Sequence, residues 1–151
     1  MTQGLLGTNI VTQIGFVVHD IEAAAKRFAE FLGLEKPAVI VTGAYEEAQT
    51  EYRGASTKAR AKLAFFTVGP NLQLELIEPD QEPSTWREYL DEHGEGIHHI
   101  AFEIRGMREK IGVMTVEGMP LLQKGEYKGG RYAYLDATAD LKCIVELLEN
   151  G

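Results

Sequence analysis

Gln13-Ile14-Gly15-Phe16-Val17-Val18-His19-Asp20-Ile21 lines up residue for residue with His99-Ile100-Ala101-Phe102-Glu103-Ile104-Arg105-Gly106-Met107. Self-similarity of this kind marks a duplicated architecture, so the pair governs every later assignment. Both runs are strand-like, and each leads into a helical pattern. After the first come Ile21, Ala24, Ala25, Phe28 and Leu32, one apolar stripe with Asp20 placed to cap it and Gly33 to end it. After the second come Met107, Ile111 and Met114, with Gly118 as the stop; Gly112 interrupts and weakens this helix.

The far ends of the two copies also match, Leu74-Glu75-Leu76-Ile77-Glu78 against Val145-Glu146-Leu147-Leu148-Glu149. The offset is 86 residues between Gln13 and His99 but 71 between Leu74 and Val145, so the first copy carries 15 extra residues. The polar stretch 45–62 is the expected insertion, read as a long hairpin or loop. Ser84 is set to cap a short helix through Leu90, after which Gly94 and Gly96 return the chain to a strand. The sequence therefore predicts an α+β fold with two tandem βαβββ modules, residues 1–80 and 97–151, joined by a connecting helix in 81–96. Together they are expected to form a curved mixed sheet around a cavity.

Composition narrows the function classes. No apolar run approaches the roughly 20 residues of a membrane span. The first residues lack the basic and apolar regions of a signal peptide, so the expected location is cytoplasmic. The single cysteine, Cys143, excludes an internal disulfide and a cysteine-based zinc site; its apolar surroundings predict a buried small hydrophobe. A net charge of −8 argues against nucleic-acid binding. An anionic small ligand would need local basic residues, and only Arg53 to Lys62 and Lys124 to Arg131 offer them.

Alternate side chains of a strand point to opposite faces. Ile14, Phe16 and Val18 make one apolar face, opposite Gln13, Gly15 and Val17. In the twin, Ile100, Phe102 and Ile104 oppose His99, Ala101 and Glu103. The same rule sets Gln73, Glu75 and Ile77 against Leu72, Leu74 and Leu76, and Ile144, Glu146 and Leu148 against Cys143, Val145 and Leu147. Gln13, Glu75, His99 and Glu146 thus all lie away from the helix layer, where a curled sheet would make them line a cavity. Two carboxylates, one imidazole and one amide carbonyl suit a divalent metal. A glutamate inside an apolar run also needs a partner, because an unpaired buried charge is costly.

On these residues the chain resembles the vicinal-oxygen-chelate superfamily. Leu74-Glu75-Leu76-Ile77-Glu78-Pro79 followed by Gly94-Glu95-Gly96-Ile97-His98-His99-Ile100-Ala101-Phe102 is similar to the methylmalonyl-CoA epimerases. The resemblance implies a metal-dependent epimerase or isomerase, commonly a homodimer, with one divalent ion per chain (zinc, nickel, cobalt or manganese). Its substrate would be an acyl-CoA or a thiol adduct. By position Glu75, His99 and Glu146 match three of the family's ligands, and Glu146 is taken as ligand and catalytic base together. His98 falls by parity on the helix-facing side and is read as structural. Two departures stand out. Gln13 replaces a histidine, giving a Gln, Glu, His, Glu set like that of eukaryotic-type glyoxalase I. The family's second basic glutamate has no counterpart in Ser56 to Lys62, which leaves Glu47 or Glu51 as substitutes. A glyoxalase I-like lyase and a metal-free binding protein of the same fold are the alternatives. An extradiol dioxygenase fits less well, since Gln13 would stand in for one of its two histidines.

Overall fold

Two glutamates at matched positions tie each helix to its own half of the sheet. The computed structural model describes residues 4–151. Strand β1 (Gln13–Val17) leads into helix α1 (Ile21–Leu32), where Asp20 accepts from the Ala23 N–H at 3.1 Å and Gly33 takes the left-handed conformation. The Ile21 N–H donates to Glu78 of β6 (Leu72–Pro79) at 2.9 Å. In the second half β7 (Gly96–Glu103) leads into α4 (Met107–Val116). There the N–H groups of Gly106 and Met107 donate to Glu149 of β10 (Ile144–Asn150), at 2.8 and 3.2 Å. A carboxylate at a helix N-terminus satisfies free donors and complements the helix dipole. The duplication therefore extends to the capping chemistry.

The remaining elements are β2 (Ile40–Val41), α2 (Tyr45–Ala48), β3 (Glu51–Tyr52), β4 (Ala55–Ser56), β5 (Ala61–Val68), α3 (Thr85–His93), β8 (Leu121–Tyr127), β9 (Gly130–Leu135) and α5 (Thr138–Leu141). One mixed ten-stranded sheet runs β2-β5-β6-β1-β7-β10-β9-β8-β3-β4. Within each half the first and last long strands are parallel, β1 with β6 and β7 with β10, and the halves join through antiparallel β1 and β7. Helix α1 packs Ile21, Ala25 and Ala29 against Ala64, Phe66 and Leu76, while α4 covers the equivalent face through Met114 with Val145 and Leu147. No helix among the described residues is long and apolar enough to cross a membrane.

Chain length forces the sheet to curl. Strands β2 and β3 are first and ninth in the order, so in a flat sheet they would stand about 38 Å apart at ~4.8 Å per strand. Only residues 42–50 join them, one helical turn included, and such a segment spans at most about 30 Å. The segment 42–60 therefore bridges the two rims. It leaves β2 at one edge and lays the hairpin β3–β4 along β8 at the other.

Two expectations are corrected. The connecting helix α3 continues past Leu90 to His93 and enters the trough: Trp86 and Leu90 pack on Val17, Ile77, Ile144 and Tyr134 and close one end of the hollow. Cys143 is half-buried just ahead of β10 rather than fully enclosed, because the strand begins one residue later.

Candidate metal centre

The floor of the hollow is built from the four central strands. Gln13 of β1, Glu75 of β6, His99 of β7 and Glu146 of β10 all point into it and are all buried, His99 completely. His99 Nε2 lies 3.1 Å from Glu146 Oε1 and 3.5 Å from Glu75 Oε1. One ligand atom from each of Glu75, His99 and Glu146 falls within 4.8 Å of the others. Gln13 completes the group. With its nitrogen donating to Gln73 Oε1 at 2.8 Å, it turns its oxygen inward, 2.8 Å from His99 Nε2 and 2.9 Å from Glu146 Oε1.

This donor set fits a divalent ion. Four lone-pair atoms facing one another repel unless a proton or a cation lies among them. In the metal-free chain, a turned amide offers an N–H to the acceptors; with the oxygen inward, a cation satisfies all four. The proton affinities that burial imposes point the same way. Burial, and then the charge of Glu146, pushes the Glu75 carboxyl well above its ordinary value. Burial also raises Glu146, against a hydrogen bond from the Tyr134 hydroxyl. Burial depresses His99 to about 3, so its imidazole is neutral and able to ligate.

The supporting residues explain how the group is held. A Cβ on Gly15 would sit 2.1 Å from His99 Cε1, so the strand approaches the ring as only glycine permits. That signal was legible, since glycine inside a strand often marks a close approach. Trp86 Nε1 donates to the Tyr134 hydroxyl at 3.0 Å; having accepted there, the hydroxyl turns its own proton toward Glu146.

His98 departs from strand parity. The β1–β7 register shifts so that Gly15 faces His99 while Phe16 faces Ile97, leaving His98 in a bulge. His98 therefore turns inward beside its neighbour, with its Nδ1 at 2.9 Å from His99 Nδ1 and its Nε2 at 3.2 Å from Thr85 Oγ1 on α3. It meets a helix, but the one inside the hollow and not the outer layer.

Above the floor lies a cavity of about 890 Å³, within the roughly 300–1,000 Å³ usual for small-molecule sites. Glu47, on α2 of the rim-bridging segment, lines it; Glu51 does not. The Glu47 carboxyl lies over Gly43, where a Cβ would come within 2.9 Å of it. Residues 12–134 match the Glyoxalase/Bleomycin resistance protein/Dioxygenase superfamily.

The chain belongs to this superfamily.

Similar members are epimerases. A 2-epi-5-epi-valiolone epimerase of Actinomyces sp is 27% identical over 143 residues, covering 87% of this chain and 75% of its own. An ethylmalonyl-CoA/methylmalonyl-CoA epimerase of Cereibacter sphaeroides is 27% identical over 142 residues, covering 91% and 95%. The crystal structure of methylmalonyl-CoA epimerase from Mycobacterium tuberculosis superposes with a TM-score of 0.65 at 17% identity over 100% of this chain and 93% of that one, a likeness of fold. This superfamily member is an epimerase-like enzyme with a curled mixed sheet.

Proposed function

We propose that the enzyme inverts a carbon next to a carbonyl group, with a divalent ion held by Gln13, Glu75, His99 and Glu146. The convergence of those four side chains on the cavity floor supports this reading above any other observation. The bound ion would supply Lewis-acid polarisation of the carbonyl oxygen, stabilising negative charge as the proton leaves. Glu146 takes the proton from the floor side, its basicity maintained by burial. Glu47 serves from the segment across the rims, returning a proton to the opposite side of the carbon. Positioned general bases contribute about 10²–10⁴ in rate. Apolar Trp86, Leu63 and Phe65 keep water from the reacting centre.

Relatives named for this reaction act on an acyl-CoA, in Cereibacter sphaeroides, and on 2-epi-5-epi-valiolone, in Actinomyces sp, so proton abstraction beside a carbonyl is the part of the proposal common to both; a homodimer in the cytoplasm is its companion proposal. The metal-loaded protein should exchange the α-proton of a substrate for deuterium in heavy water, and Glu146→Gln or chelation should abolish exchange. Turnover of the methylglyoxal–glutathione adduct without α-exchange in any other carbonyl compound would support the glyoxalase I-like alternative. Purified protein that neither retains nor responds to metal would overturn the reading in favour of a binding protein.

A further inference from the structure

The charge of the cavity restricts what can enter it. Four carboxylates line it: Glu75 and Glu146 on the floor, and Glu47 and Glu103 above. Among the described residues no lysine or arginine lines it. A divalent ion among the floor residues would offset two of four negative charges and leave two. Arg131 faces outward with Glu126, pairing with it at 3.9 Å and with Glu149 at 3.0 Å on the side where Glu149 caps α4. The lysines of the two basic stretches also face elsewhere: Lys62 pairs with Glu78, and Lys124 lies opposite Ala133, a residue of the core beneath α4.

The other polar lining groups are neutral. Thr12, Thr67, Asn71, Gln73, Tyr127 and Asn150 surround the floor with hydroxyls and amides, and Asn150 Nδ2 donates to Glu103 Oε1 at 2.8 Å. Hydroxyl groups of a ligand donate well to carboxylates and accept from amides. An anionic ligand would meet like charge in a low-dielectric hollow, where such juxtaposition costs most.

From this lining we infer that the substrate is a neutral, polyhydroxylated ketone and that the cavity disfavours anionic acyl-CoA esters. The inference rests on the proton-abstraction reading above and names its substrate class. Glu103 acts as a specificity determinant, rejecting negative charge and accepting hydroxyl protons.

The test uses the manganese-loaded enzyme in heavy water, with scyllo-inosose as the neutral hydroxyketone and methylmalonyl-CoA as the anionic ester. Deuterium incorporation is followed by mass spectrometry at low and high salt. The inosose should exchange with kcat/KM at least tenfold above that of the ester at low salt. Salt should narrow the gap by screening the ester's repulsion, and Glu103→Gln should narrow it further by lowering the ester's KM. Exchange of the ester as fast as or faster than the inosose, unmoved by salt or by Glu103→Gln, would overturn this inference and leave the epimerase reading intact. Exchange in neither compound with metal bound would overturn both.

Discussion

The Nδ1 atoms of His98 and His99 face each other at 2.9 Å in a buried, sequential pair. One must carry a proton and the other a lone pair. When His99 Nε2 ligates a metal, its proton must sit on Nδ1, so His98 Nδ1 accepts and His98 Nε2–H donates to Thr85 Oγ1. His98 thereby sets the tautomer and ring orientation of its neighbour. His98→Leu is expected to weaken metal binding by about 10–100-fold, the range typical of lost outer-shell partners. His98→Asn, whose side-chain oxygen can replace the acceptor, should recover most of it. Competition titration with a chromophoric chelator measures both; equal affinities for wild type and His98→Leu would refute the role.

The two proposed bases should separate stereochemically. Glu47→Gln is expected to exchange the α-proton of one epimer with retention while its epimerisation falls about 10²–10⁴-fold. Glu146→Gln, which removes ligand and base together, should lose exchange in both epimers. Incubating each epimer in heavy water and resolving the products distinguishes these outcomes, and unimpaired inversion by Glu47→Gln would remove it from the mechanism.

Gly15→Ala tests the close approach to His99. The added methyl would stand 2.1 Å from the ring carbon, so strand or imidazole must shift. Overpacking of this kind costs about 1–3 kcal/mol. Thermal unfolding should show a lowered Tm, and metal affinity should fall because a ligand moves. Retention of both would mean that the ring is free to rotate away.

Metal binding should release protons. Glu75 and Glu146 hold protons more tightly in the metal-free fold than in the unfolded chain, so their stabilising contribution is complete below their ordinary values and lost as pH rises through the raised ones. His99 runs the other way: with its folded value down at about 3, its contribution is present above its ordinary value and lost as pH falls toward 3. A cation must displace the carboxyl protons, so affinity should climb from mildly acidic to neutral and alkaline pH. Calorimetry in buffers of different ionisation enthalpy counts the protons. Binding at pH 6 without proton release would contradict the protonated carboxyl pair.

Much of the fold was legible because helix and strand patterns are local. Asp20, Gly33 and Ser84 announce helix ends by chemistry that acts within a few residues. The paired Glu75–Glu78 and Glu146–Glu149 show the duplication as soon as the segments are overlaid. Parity also assigns Gln13, Glu75, His99 and Glu146 to one face, since facing in a regular strand depends only on counting. His98 defeated that count because a bulge is decided by the partner strand. Glu47 could not be assigned because its position depends on where nine residues, one helical turn included, cross between distant strands.

From the sequence alone came the repeat, the helix caps and the face on which each polar strand residue lies, all properties set by neighbours along the chain. Tertiary structure alone decided that four such residues meet, that α3 stops one end of the hollow, and that its walls carry carboxylates without lining cations among the described residues. The reason is geometric. Proximity across a sheet follows from strand order and curl, which emerge only when every strand has found its partner and the 42–60 segment has drawn the two rims together.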